Sequence, residues 1–430
     1  MQIVGRVVLG CVLFAACGDN LDATVQPTAN LGREVLATDL VLDVTTRDAT
    51  ALITFAPSDE PGATLEIGDL QIATVLLDGE PLLVAGNPLL DLGLKRSDEP
   101  LTVEIHYRYD YHELADGFSS NGYTITWPDK AQNIFPCHTS PADGSTYTLE
   151  LTGVPAGMTA IYPAEIAVEA PAYQLAWSTG AYTELPLGTT AAGTQVSVWH
   201  FAADLADAQL GTPHLVAAFD WLERTIGPYR FGTKVGTVET AWRYSMVAPG
   251  FALGGMEHHP FWHITRTSLA SHETHVHEAA HGWFGDGVRI ACWEDMVLSE
   301  GTTTYLAARS LEVVAPTVGA AIFAGYESQL SIVANANSIW PQTCGVEKAT
   351  AQINGPVYIR GALFYRALAM KLGAPVVDQV LSAFYMEHAL RAARMTDMLD
   401  HIQAMTGYDP TTCANTWLRT AAKPTTFACP

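Results

Sequence analysis

His277-Glu278-Ala279-Ala280-His281 is the stretch on which the reading of this chain turns. Residues four apart share one face of an α-helix, so both imidazoles can reach one ion while Glu278 lies over the remaining coordination position. Zinc suits such a site, because three protein ligands leave a position for water and lower that water's pKa to about 7. The third ligand is expected to be Glu300, which follows His281 after eighteen residues, within SEGTTTYLAARSLEVV, a stretch that reads as a second helix. By chance an HExxH arises in roughly 2% of chains of this size and histidine content, and a glutamate at one fixed later position cuts that to roughly 0.1%. His258, His259, His263, His272 and His275 crowd the same region without forming a second pair, and are expected at the surface or in the pocket rather than on the metal.

Outward from this stretch the texture of the chain divides in two. From about 36 to 205, VLDVTT, ALITFAP, TLEIGDL and LTVEIHYRY alternate apolar and polar residues between Gly, Pro, Asp and Asn, which predicts an antiparallel β-sandwich or saddle domain. From about 206 the period becomes helical: HLVAAFDWLERTIG sets Leu215, Phe219 and Leu222 on one face. A short β section, KVGTVETAW to FALGGMEH, precedes helices from His272 onward. The fold class expected is α+β, with two domains and no internal repeats.

The N-terminus reads as an export signal. Arg6, an apolar run from Val7 to Ala16 and the small pair Ala15-Ala16 stand directly before Cys17. That order resembles a bacterial lipobox, with residues 1–16 as signal peptide and Cys17 as the lipid anchor, although Phe14 stands where Leu is usual. Residues 17–35 are polar and aperiodic and are expected to be a tether. The protein is thus expected to be a cell-envelope lipoprotein, with plain secretion or a periplasmic location as the alternative. Cys11 and Cys17 apart, five cysteines remain, without a CxxC pair. Cys292 with Cys344 and Cys413 with Cys429 are candidate bridges, and sequence leaves the connectivity open.

Composition excludes several classes of function. Of 430 residues, 48% are hydrophobic and 16% charged, enough to bury a large core and too apolar for wholesale disorder. The 22 Lys and Arg against 45 Asp and Glu give a formal charge of -23, which repels phosphate backbones and anionic lipid headgroups. Nucleic acid is not an expected partner, and contact with a membrane is expected through the lipid anchor alone.

HEAAHGWFGD followed by WEDMVLSEG, with GGMEH upstream, resembles the aminopeptidase N family of gluzincin metallopeptidases. GPYRFGTKV, PVYIRGALFYRAL and TGYDPTTCANTWLRTAAKP extend the resemblance, and NIFPCHTSPADGSTYTLEL is a weaker echo in the β domain. The resemblance implies a thermolysin-like catalytic domain over 206–430. It makes His277, His281 and Glu300 the ligands of one Zn²⁺ per chain, and Glu278 the general base. Gly254, Gly255, Met256 and Glu257 match the exopeptidase motif, whose glutamate contacts the substrate's free α-amine. His258 replaces the Asn usual at the next position. Tyr358 matches a tyrosine that donates to the tetrahedral intermediate, a contact worth about 3–4 kcal/mol by analogy with oxyanion-hole donors. Arg360 is expected to bind substrate, where the family's usual residue is Lys. Asp295 is expected to support a ligand histidine from behind.

Two departures bear on the function. CHTSPADGS lacks the acid-rich stretch usual after the family's Pro-Cys-Phe, so substrate contacts from the β domain do not carry over. The sequence also stops after the catalytic domain, without the large C-terminal helical domain of longer members, which leads to the expectation of a more open cleft. The function expected is removal of N-terminal residues from peptides by zinc-activated water. The alternatives are an endopeptidase or other hydrolase on the same zinc site, and a catalytically idle peptide-binding surface lipoprotein.

Overall fold

In the computed structural model, residues 25–430 are described except 114–115, 242–245, 249–250, 253, 331–338, 346–354, 423 and 425–426. The signal segment 1–16, Cys11 and the anchor Cys17 lie outside the described residues. No helix among the described residues is long and apolar enough to cross a membrane.

Alternating residues build the first half. In the strand Val35–Asp43, Thr38, Leu40 and Leu42 are buried while Leu36, Asp39 and Val41 face outward. This is the period of two that a half-buried sheet demands. The strand is central in a seven-stranded sheet. On one side lie Asp48–Phe55, Leu101–Arg108, Gln71–Leu77 and Glu80–Pro81, all antiparallel. On the other side Ser145–Thr152 pairs parallel to Val35–Asp43, and Glu165–Ala170 closes the edge. The expected all-antiparallel pattern thus holds one parallel pair. It joins strands about a hundred residues apart, a separation that a long crossover permits and a hairpin does not. Leu40, Ile53, Phe55, Val103, Ile105 and Leu149 meet in the core behind this sheet.

The tether expected over 17–35 is shorter than the sequence suggests, because its described part is packed down. Arg33 is buried and donates to the carbonyls of Ala56, Gly62 and Lys95. Asn30 exchanges hydrogen bonds with Thr64 at 2.8 and 3.0 Å. A polar, aperiodic segment can be ordered when its donors find backbone carbonyls, and period carries no record of that.

The division expected near 205 falls inside a sheet. Strands Tyr182–Thr189 and Gln195–Phe201 join Lys234–Thr240, Phe261–Thr265 and Gly255–Met256 in one mixed five-stranded sheet. The architecture that carries the site therefore begins near 182. The helix Leu215–Thr225 turns Leu215, Phe219 and Leu222 into the core, as their spacing predicts. The helix Thr302–Val314 packs against Leu215–Thr225, His272–Ala280, Pro316–Gln329 and Gly355–Leu372. Arg289 ties the halves together, donating to the Ala142 carbonyl at 3.1 Å and to the Glu169 carboxylate at 3.1 Å. Disulfides join Cys292 to Cys344 and Cys413 to Cys429, and Cys137 is a buried free thiol.

Candidate metal centre and substrate cavity

The helix His272–Ala280 starts at Ser271, whose hydroxyl accepts from the Thr274 amide at 3.2 Å. That cap satisfies one of the unpaired amides of the first turn and fixes the helix phase. His277, Glu278 and, just past the helical end, His281 consequently face the same cavity. Glu300 comes from the next element. Val297–Gly301 form a single π turn that leads into the Thr302–Val314 helix. A π turn re-aims a side chain without ending the helix, and such turns recur at functional sites.

Three ligand atoms form a near-equilateral triangle. His277 Nε2 is 3.1 Å from His281 Nε2, and each lies 3.2 Å from Glu300 Oε2. Ligands about 2.0–2.2 Å from a tetrahedral zinc stand about 3.3–3.6 Å apart, so the triangle fits that ion within a few tenths of an ångström. The imidazoles are held in the required tautomer. His281 Nδ1 donates to the Phe284 carbonyl at 2.9 Å, which leaves Nε2 for an ion. Thr304 gives its hydroxyl proton to the Glu300 carbonyl at 2.6 Å and faces His277 Nδ1 at 3.4 Å with its lone pairs. Partners on the far nitrogen orient ligand histidines, and here a carbonyl and a threonine do this.

Asp295, expected in that role, does something else. Its carboxylate accepts from Trp340 Nε1 at 2.9 Å, from the Met395 amide at 3.1 Å and from Arg394. It anchors the chain behind the π turn rather than a histidine. Arg360 also departs from expectation. Its guanidinium is buried and donates to the carbonyls of Thr416 and Thr420, away from the cavity. It stands two residues after Tyr358, and on a helix that offset turns a side chain to the far side.

Tyr358 does reach the site. Its hydroxyl donates to Glu300 Oε1 at 2.8 Å, and its ring lies 5.8 Å from that of His277. Two glycines make the approach possible. A Cβ on Gly361 would stand 2.5 Å from Gly301 Cα, and one on Gly301 would stand 2.8 Å from Gly361 Cα. The Gly355–Leu372 helix therefore crosses the π turn at backbone contact, a distance no larger residue permits.

The strand edge 254–257 runs beside the helix in a definite order. A Cβ on Gly254 would stand 3.1 Å from Thr274, and one on Gly255 would stand 2.6 Å from Glu278. Glu257, farther along, has a carboxylate oxygen within 4.8 Å of ligand atoms of His281 and Glu300. Gly254, Gly255, Met256 and Glu257 all line the cavity, whose volume is about 520 Å³. His258 turns away and packs against His263, with ring centroids 5.0 Å apart.

Burial sets the electrostatics. It pushes the Glu257 carboxyl up to about 7, an effect that His281 opposes and Glu300 reinforces. Burial also holds Glu278 well above the usual range, with Glu257 and Glu300 adding to the effect. For Glu300 burial raises the pKa, but the imidazoles of His281 and His277 outweigh it and keep the carboxyl ionised. Buried carboxylates so close together repel one another unless a cation sits among them, which is a second reason the donor set fits a divalent ion.

The histidines expected at the surface or in the pocket are mostly framework. His258, His259, His263 and His275 are at most 1% exposed. His259 Nε2 donates to the Glu278 carbonyl at 2.8 Å and its Nδ1 meets the Tyr229 hydroxyl at 2.7 Å. His275 bridges Thr237 and the Leu269 carbonyl at 2.8 and 2.7 Å. Cavity residues that go beyond those expected from sequence include Trp127, which comes from the β half, and Glu273 with Tyr326. Glu273 stands four before His277, so the helical period places it on the metal-facing side. Trp127 carries no local signal.

Residues 241–417 match the model of the peptidase family M1 domain. Leucine aminopeptidase 2 of Neurospora crassa is 29% identical over 206 residues, covering 42% of this chain and 28% of that protein. Aminopeptidase N of Streptomyces lividans is 26% identical over 155 residues, 34% of this chain and 18% of that protein. The chain spans about a quarter of the length of the curated relatives it matches. An M1 zinc metallopeptidase from Deinococcus radiodurans superposes with a TM-score of 0.77 at 20% identity, covering 92% of this chain and 96% of that one. The shared fold is an N-terminal β-rich domain followed by a mainly helical domain, and it is within the second that residues 241–417 resemble the peptidase family M1 domain.

Proposed function

We propose that this protein is a zinc-dependent aminopeptidase that removes N-terminal residues from peptides. The observation that carries the reading is the ligand triangle of His277, His281 and Glu300, with Glu278 beside it and Glu257 at one end of the cavity. The relatives named as aminopeptidases support it, as does a structural neighbour from Deinococcus radiodurans that was solved bound to a Tyr-Ser-Ala substrate.

When bound, zinc supplies a Lewis acid that polarises the scissile carbonyl and lowers the pKa of the attacking water. Glu278 takes the proton from that water and returns it to the leaving amine, a role suited to a carboxylate whose pKa burial has raised. Tyr358 turns its hydroxyl from Glu300 to the developing oxyanion. Glu257 pairs with the α-ammonium of the peptide and so fixes the cut one residue from the N-terminus.

Hydrolysis of aminoacyl peptides and their N-acetylated twins tests the reading, for wild type and Glu278→Gln. Turnover of the free amines alone, lost in the variant, is expected. Turnover of the acetylated peptides would assign an endopeptidase, and binding without turnover would assign a peptide-binding protein. Export and lipid anchoring belong to the same reading, supported by the apolar run before Cys17. Mass spectrometry of the mature N-terminus is expected to find acylated Cys17, and an intact residue 1 would remove this part.

A further inference from the structure

The strand edge and the helix together give the cavity a direction. Gly254 lies against Thr274, Gly255 against Glu278, and Glu257 beside His281 and Glu300. A peptide whose amine sits at Glu257 and whose first carbonyl meets the ligand triangle therefore continues toward Thr274 and the first turn of the helix. Glu273 lines the cavity there. Four residues separate it from His277, about 6 Å along the helix axis, which is within reach of a long side chain on the next peptide residue.

Three features of that end bear on what it accepts. Tyr326, itself 3% exposed, donates to Glu273 Oε1 at 2.6 Å and fixes the carboxylate in place. Among the described residues, Glu273 makes no ion pair, and the cavity wall holds four carboxylates with neither lysine nor arginine. Beyond Glu273 a hollow on the Pro316–Gln329 helix shares Glu273, Tyr326 and Gln329 with the cavity and is floored by Val318, Ala321 and Ile322. A held carboxylate beside an apolar floor matches a side chain with a methylene stem and a cationic head.

On the aminopeptidase reading, we infer that Glu273, held by Tyr326, selects lysine or arginine as the first residue after the cleaved bond and disfavours aspartate or glutamate there. Selectivity then arises on the leaving side of the bond, independently of the pocket for the residue removed.

The test compares kcat/KM for Ala-Lys-Ala-amide, Ala-Leu-Ala-amide and Ala-Glu-Ala-amide in wild type, Glu273→Gln and Glu273→Lys. The amides remove the C-terminal charge, so the middle residue supplies the difference. Wild type is expected to favour lysine over glutamate by about ten-fold, in keeping with one partly buried charge pair. Glu273→Gln, which still accepts from Tyr326, should narrow the ratio to about two-fold, and Glu273→Lys should reverse it. A purely structural role would slow all three peptides alike and leave the ratios unchanged, which would overturn the inference. If wild type cleaves none of the peptides, the aminopeptidase reading fails separately. Affinities of the same amides for Glu278→Gln, with and without Glu273→Gln, then decide: a lysine preference lost in the double variant supports the role of Glu273, and equal affinities overturn it.

Discussion

The two halves of the chain treat buried charge in opposite ways. Among the described residues of 25–180, no carboxylate is buried, and the buried cationic groups Arg33 and His138 are met by carbonyls or a facing acid. In the half that follows, Glu239, Glu257, Glu278, Asp286, Asp295 and Glu300 are each at most 5% exposed. Its buried guanidiniums are committed elsewhere, Arg289 to the β half and Arg360 to the C-terminal turn. Taking an ion out of water costs several kcal/mol unless it is paired. The β half avoids that cost, whereas in the other half three of these six, Glu257, Glu278 and Glu300, line one cavity. On the proposed reading, the three carboxylates of that cavity receive a cation and a protonated amine.

The comparison breaks if the charged cluster proves idle, so the largest expected effect lies there. Glu278→Gln should lower kcat by about 10²–10⁴-fold while zinc content stays that of wild type. Unchanged turnover would remove the general base. Glu257→Gln should reduce kcat/KM for free-amine peptides by about ten- to a hundred-fold and raise the relative use of acetylated ones. If the preference for free amines survives, another group reads the N-terminus.

Much of the fold and of the site is legible in the residues themselves. The period-two alternation of 36–55 and 101–108 becomes strands because one face of each meets a core. His277, His281 and Glu300 are legible because the spacing that a shared ion would require is written in the sequence, and the fold brings their ligand atoms together. Arg360 and Asp295 depart from expectation for a shared reason: both sit next to the site in sequence, and proximity along the chain says nothing about which way a buried side chain points. The mixed sheet beginning at Tyr182 escapes a reading of periods, since strands look alike whichever sheet they join. Phe284 and Thr304, which orient the histidines, act through a carbonyl and a hydroxyl that leave no pattern.

Asp295 gives a sharper, smaller test. Asp295→Asn weakens the contacts with Arg394, Trp340 and the Met395 amide, and should destabilise the fold by about 1–3 kcal/mol with zinc content retained. Loss of zinc with unchanged thermal stability would restore Asp295 to the metal's support.

Glu239 supplies the smallest effect. Burial pushes its carboxyl up to about 7, opposed by the Phe201 amide and reinforced by Asp204. A folded-state pKa raised above the unfolded value means that the folded chain binds more protons between about pH 4.3 and 7, so this group costs stability as pH rises through that window. Glu239→Gln should flatten the fall in Tm between about pH 5 and 8 by a few degrees. A parallel fall in both proteins would assign the pH dependence elsewhere.

Zinc content of the purified, dialysed protein, compared with Glu300→Ala, tests the central claim most directly. One zinc per chain in wild type and none retained by the variant, with both folded by circular dichroism, is the predicted result. A folded wild type that binds no zinc, or a variant that keeps it undiminished, would contradict the account.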